Sequence, residues 1–158
     1  MVIKMHEKYM RIAIEEAKRA LLLDEVPVGA VIVKNGVVIA KGHNLRETLK
    51  SATAHAEIIA INNACAKLNG WRLFGCDMYV TLEPCPMCAG ALVNARIDRI
   101  IFGTMDYKRG GCRSIYNITD DDRLNHKLEI VSGVCVEECK ILLQEFFNLK
   151  RKGFKNSK

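Results

Sequence analysis

Two short stretches of this chain hold residue types and spacings suited to chemistry: His55-Ala56-Glu57, and Pro84-Cys85-Pro86-Met87-Cys88. The cysteine pair has three conceivable uses: a disulfide switch, half of a structural zinc knot, or part of a catalytic centre. A redox pair opens the first helix of a βαβ unit and has no use for a His-x-Glu 28 residues upstream. A structural knot wants a fourth Cys or His, yet His6, His43 and His126 stand alone, Cys65, Cys76 and Cys112 are isolated, and Cys135 and Cys139, four apart at the start of a helix, read as small buried side chains. His55, Cys85 and Cys88 together make three ligands with a fourth position open, the arrangement of a catalytic zinc site. A metal so held lowers the pKa of its water to about 7. Glu57 is not needed as a ligand and is placed to move the released proton. The expectation is one zinc ion per chain, with Glu57 as acid and base.

These residues serve one site only if the backbone aims them together. In mid-helix, residues two apart point about 200° apart around the axis, so His55 and Glu57 would diverge there. In a first turn both lean back past the helix end. A helix capped by Thr53 and running to about Asn69 satisfies this, with Ile58, Ile59, Ile61 and Ala64 turned inward. Pro86 suits the first turn of a helix reaching Asn94, which puts Cys85 near the N-cap and Cys88 one turn on. The positive end of the helix dipole there favours thiolate.

The remaining elements follow from periodicity. Tyr9, Ile12, Ala13, Ala17, Ala20 and Leu21 mark an amphipathic helix over roughly residues 6–23. "VGAVIVKNGVVIAKG" is a hairpin about Asn35-Gly36, a pair that tolerates positive φ at both turn positions. "DMYVTL", "RIIFG" and "KLEIV" are three more strands. Thr104 to His126 is mostly loop with one helical turn, and a last helix spans about Glu137 to Arg151. The order predicts an α/β sandwich with one five-stranded mixed sheet and helices on both faces.

At 158 residues the chain fits a single domain that needs no staple, and nothing approaches the ~18 apolar residues of a membrane span. With no export signal at the N-terminus, the expectation is a cytoplasmic protein with reduced thiols and no membrane partner. The net charge of +6 is uneven. Residues 150–158, "KRKGFKNSK", hold five basic and no acidic groups, which leaves 19 basic against 18 acidic in residues 1–149. That basic end, about 137–158 with its helix, suits contact with phosphates.

The pattern H-x-E with P-C-x-x-C is the known signature of zinc nucleobase deaminases, so the ligand roles above agree with an existing template. Beyond it, "EVPVGAVIV", "TAHAEIIAI", "YVTLEPCPMCAGAL", "FGTMDYKRGG", "LNH" and the "EC" and "FF" of the last helix stand in the order found in one family. Over nearly its full length the chain resembles the bacterial tRNA adenosine deaminases of the cytidine/deoxycytidylate deaminase superfamily. The resemblance implies a cytidine-deaminase-like three-layer αβα sandwich over residues 1–158, a homodimer, and conversion of the wobble adenosine of a tRNA anticodon stem-loop to inosine. It also implies substrate contacts: Asn44 on the purine, Val28 in the pocket wall, Asp106 and Lys108 against the anticodon nucleotides, and Phe146, Phe147, Lys150 and Arg151 on the RNA. Two departures stand out, Ser51-Ala52 where the family often has Asp-Pro, and Asn148 where an arginine is frequent.

Two other readings remain distinct from this one. A deaminase of free guanine or cytidine would share the zinc residues but would not need the basic tail or "DYKRGG". A non-catalytic zinc and RNA-binding module would have no use for Glu57.

Overall fold

The computed structural model describes residues 1–156, so Ser157 and Lys158 at the end of the basic tail lie outside the described residues. The elements run α1 (Val2–Leu22), β1 (Gly29–Lys34), β2 (Val37–His43), α2 (Ala56–Leu68), β3 (Cys76–Leu82), α3 (Pro86–Asn94), β4 (Arg99–Thr104), a 3-10 turn (Ile118–Asp120), β5 (Glu129–Val131) and α4 (Val136–Asn156). The five strands form one sheet in the order β2-β1-β3-β4-β5. β1 is antiparallel to both β2 and β3, whereas β3, β4 and β5 are parallel, so the sheet is mixed as expected.

Strand alternation divides the core into two layers. Val31, Val33, Tyr79 and Ile101 point to one face and pack with Tyr9, Met10, Ala13 and Ile14 of α1 and Cys139 of α4. Their neighbours Ala30, Ile32, Met78, Val80, Ile100 and Phe102 point to the other, where Ala60 and Ala64 of α2 and Leu92 of α3 cover them. The result is a three-layer αβα sandwich. Among the described residues, no helix is long and apolar enough to cross a membrane.

The hairpin turns where the sequence indicates, with Asn35 at φ 51° and Gly36 at φ 74°. Four boundaries differ from expectation by two residues or more. α1 begins four residues earlier, at Val2, and α4 runs five residues beyond Arg151. β5 pairs over only three residues, from Glu129 against Arg99 to Val131 against Ile101. Thr53 does not cap α2. The chain turns at Ala52 and Thr53 and is extended at His55 (φ −77°, ψ 155°), whose N–H donates to the Thr53 carbonyl at 2.8 Å, and the first helical bond runs from Ile59 N–H to the His55 carbonyl. His55 is therefore the N-cap itself.

One glycine lets α2 lie where it does. A Cβ at Gly42 on β2 would strike the Ala56 carbonyl and come within 2.8 Å of the Ala60 nitrogen. The bare backbone lets the first turn of α2 rest directly on the strand, and this fixes the height of His55 and Glu57 above the sheet.

Candidate active site

The two chemical stretches occupy equivalent positions at two helix starts. His55 is the N-cap of α2 and Cys85 the N-cap of α3, each with an extended backbone and neither making a side-chain capping bond. An N-cap is ordinarily Ser, Thr, Asp or Asn, whose oxygen bonds back to the first turn. A histidine and a cysteine there leave their donor atoms aimed beyond the helix ends. Pro86 opens α3, and Cys88 follows as its third residue.

The geometry brings all three ligand candidates together. His55 Nδ1 lies 3.6 Å from Cys85 Sγ and 3.5 Å from Cys88 Sγ, and the three donor atoms lie within 4.8 Å of one another. Zinc–sulfur bonds of about 2.3 Å and a zinc–nitrogen bond of about 2.05 Å at a tetrahedral angle require an S···N separation of about 3.6 Å. The donor set and its spacing thus fit zinc. His6 instead bonds Tyr79 Oη at 2.7 Å, His43 bonds Glu16 at 2.9 Å, and His126 bonds the Ile97 carbonyl at 2.7 Å. The other five cysteines are free thiols.

The electrostatics prepare the cluster for a cation. A hydrogen bond from Cys88, with a further one from His55, outweighs burial and draws the Cys85 thiol down to about 4. Cys88, the donor in that pair and itself buried, is pushed up, and the bond to Cys85 raises His55. Glu57 is 4% exposed, and burial pushes its carboxyl up to about 7, with the Cys85 thiolate adding to the rise. A buried carboxyl beside the His55, Cys85 and Cys88 cluster is placed to take up and release a proton.

The other candidate residues separate into three places. Val28 and Asn44 are neighbours, since Asn44 N–H donates to the Val28 carbonyl at 3.1 Å and both are largely buried. Asn44 Nδ2 donates to the Val26 carbonyl and its Oδ1 accepts from Arg46 N–H, each at 3.2 Å, leaving one amide hydrogen and one lone pair for a substrate. Asn44 also lines a cleft of about 650 Å³ with Asp24, Arg46, Phe146, Phe147 and Lys150. Phe146 is 6% exposed and meets Phe147 edge-on at 5.4 Å, while Phe147 is half exposed. Lys150 Nζ is 2.5 Å from Asp24 Oδ2. Arg151 binds its own helix through the Phe147 carbonyl and Asn148 Oδ1. Asp106 and Lys108 lie on the loop after β4, where Asp106 Oδ1 accepts the N–H groups of Lys108 and Arg109 at 3.1 Å each and Lys108 faces solvent.

Two residues escaped the sequence reading. Glu25, 1% exposed, accepts N–H bonds from Glu47 at 3.0 Å and Thr48 at 2.8 Å and so closes the loop that carries Asn44. Glu83, also 1% exposed, binds the loop after β4 in the same manner. Glu83 directly precedes Pro84 and Glu25 stands two residues before Pro27, a mild oddity in sequence, but the backbone groups that each binds are more than 20 residues away.

The comparisons agree with this geometry. The family model for the cytidine and deoxycytidylate deaminase zinc-binding region matches residues 3–104. A tRNA-specific adenosine deaminase from Bacillus subtilis is 51% identical over 146 residues, which is 92% of this chain and 91% of that one. One from Aquifex aeolicus is 50% identical over 92% of this chain and 95% of that one. A solved structure from work on A-to-I editing by tRNA:A34 deaminases at the wobble position of transfer RNA superposes with a TM-score of 0.83. It is 43% identical and covers 86% of this chain and 99% of that one.

Proposed function

The chain belongs to the cytidine and deoxycytidylate deaminase family, and on that premise we propose that it converts adenosine to inosine at the wobble position of a tRNA anticodon, releasing ammonia. The observation that carries deamination is the buried Glu57 beside a His55, Cys85 and Cys88 cluster whose spacing fits zinc. The choice of tRNA as substrate is supported by the two relatives at about half identity named tRNA-specific adenosine deaminase.

Zinc, held by His55, Cys85 and Cys88, supplies a water made acidic near neutral pH. Glu57 takes a proton from the attacking water and delivers it to N1 of the purine. With the water oxygen bonded to C6, Glu57 takes the remaining proton from that oxygen and passes it to the amine, so the C–N bond breaks, ammonia leaves and the carbonyl of inosine remains. Asn44 holds the purine with its free hydrogen and lone pair, against a wall that includes Val28. The target base must leave its stack to reach the pocket, which costs little in an anticodon loop because the loop is single-stranded. Asp106 and Lys108 line the path of the neighbouring nucleotides. Phe147, braced from below by Phe146, offers a ring, while Lys150 and Arg151 offer charge to the phosphates. Residues 1–158 form one deaminase domain, and the enzyme works as a cytoplasmic homodimer.

The test is to incubate the purified protein with an arginine tRNA carrying a wobble adenosine and, separately, with free guanine and cytidine, and to measure inosine and ammonia. Inosine in the tRNA is the expected result. Ammonia from the small molecules with none from the tRNA would overturn the assignment and install the free-base deaminase in its place.

A further inference from the structure

Glu83 takes no part in the proton transfers above and is not a metal ligand, yet it is among the most heavily hydrogen-bonded side chains of the molecule. It sits two residues before Cys85, at the end of β3, and is 1% exposed. Its Oε1 accepts the N–H of Asp106 at 3.0 Å and the hydroxyl of Ser114. Its Oε2 accepts the N–H groups of Cys112 at 3.2 Å, Arg113 at 2.8 Å and Ser114 at 2.9 Å. Five donors, all from residues 106–114, converge on one carboxylate that offers about four lone-pair sites.

The main chain repeats the pattern. Glu83 N–H donates to the Thr104 carbonyl at 2.9 Å, and Gly111 N–H donates to the Pro84 carbonyl at 2.8 Å. A Cβ at Gly110 would land on the Glu83 carboxylate, and one at Gly111 would lie 3.0 Å from the Cys85 carbonyl carbon and oxygen. The segment between Asp106 and Ser114 forms no helix or strand of its own. What sets its position is this buried anion on one side and the strand leading to Cys85 on the other.

We propose that Glu83 is a positioning residue that holds the Asp106–Ser114 segment in register with the metal ligand Cys85, so that one side chain places the RNA-facing loop over the reacting centre. The inference rests on the reading above in one respect, that Asp106 and Lys108 face the RNA. Neutralising Glu83 should not loosen the loop uniformly. In Glu83→Gln the amide oxygen keeps the three N–H groups of residues 112–114 when it occupies the Oε2 position. The amide nitrogen then lies at Oε1, where it can donate to the Ser114 hydroxyl, which turns to accept. Asp106 N–H is left facing another donor. The variant therefore releases the Asp106 turn selectively.

The experiment measures kcat and KM on an anticodon stem-loop, zinc per chain, and amide hydrogen exchange, for the wild-type protein, Glu83→Gln and Ser114→Ala. For Glu83→Gln we expect KM to rise about tenfold, kcat to stay within about threefold, zinc content to be unchanged, and the Asp106 amide to exchange faster than those of Cys112 to Ser114. Ser114→Ala removes one Oε1 donor while keeping the charge. Asp106 keeps its acceptor in this variant and should exchange as in the wild type, while the Ser114 amide exchanges faster and KM rises by less, and these readouts carry the test should Glu83→Gln not fold. For Glu83→Gln, wild-type exchange at Asp106, faster exchange with an unchanged KM, or loss of zinc with KM untouched would each overturn the proposal, as would wild-type exchange at Ser114 in Ser114→Ala. Failure of the wild-type protein to deaminate the stem-loop would remove the proposed function instead, and Asp106 exchange would then decide by itself whether Glu83 holds the segment.

Discussion

His55 Nδ1 lies 3.5 Å from Cys88 Sγ, although 33 residues separate them in sequence. The first is the N-cap of α2 and the second the third residue of α3. Two helix starts are thus brought nose to nose at one end of the sheet. Both present the positive end of a macrodipole, which favours a thiolate there, and Cys85 is the thiol drawn down.

Metal removal should separate activity from folding. The two core layers lie on opposite faces of the sheet and do not depend on the ligands for their packing. Chelation at neutral pH is expected to abolish turnover, which returns on adding zinc, while far-UV circular dichroism stays native. The melting temperature should fall, because a ligand present at about 1,000 times its Kd contributes about 4 kcal/mol to stability. Cys88→Ala should show no restoration by zinc. An unfolded apoprotein would contradict this view of the core.

Glu57→Gln tests the proton carrier. The carboxamide is close to isosteric with the carboxyl and leaves His55, Cys85 and Cys88 intact, so zinc content and thermal stability should match the wild type. Inosine formation should drop by about 10²- to 10⁴-fold, the range of a lost general acid and base. A rate within tenfold of wild type would remove Glu57 from the assigned role.

The site was legible in sequence to the extent that its parts are local. His55 with Glu57, and Cys85 with Cys88, are each separated by three residues or fewer, and helix-start geometry dictates where such side chains point. Asn35-Gly36 was legible for the same reason. The cap of α2 was misplaced by two residues because Thr53 is a good capping type, whereas the tight bond from His55 N–H to the Thr53 carbonyl is a property of the folded turn. The roles of Glu25 and Glu83 were not legible because their partners are mostly peptide groups, which no residue type announces. The pairing of Lys150 with Asp24 joins residues 126 apart. Long-range contacts of that kind depend on where α4 docks, and this is a tertiary outcome.

Glu25 should leave a mark on the acid limb of stability. Burial alone would raise its carboxyl, but the hydrogen bonds from Thr48 and Glu47 outweigh that and hold it below the ordinary carboxylate value. A group depressed in the folded state contributes stability that is fully present above its unfolded pKa of about 4.3. That contribution is lost as the pH falls through the folded value. Glu25→Gln should therefore cost about 1–3 kcal/mol at pH 7, with the deficit against wild type shrinking below about pH 4.3. Urea titrations at pH 7 and pH 3.5 check this, and a deficit that grows on acidification would have the wrong sign.

Lys150 and Asp24 form an ion pair at the edge of the cleft, with side chains 49% and 75% exposed, so the pair adds little to stability. Its consequence is for binding. If phosphates of the anticodon loop reach Lys150, they must displace the Asp24 carboxylate, and the two substitutions then act in opposite directions. Lys150→Ala should raise KM for the stem-loop and flatten the dependence of log KM on log salt by about 0.7, the share of one phosphate contact on a single strand. Asp24→Asn removes the competitor and should lower KM, with the benefit fading as salt is raised because the attraction it frees is itself screened. Neither variant should change the melting temperature by more than a degree or two. Kinetics between 50 and 200 mM salt test the argument, and a rise in KM for both substitutions would show that the pair serves as a structural tether for α4.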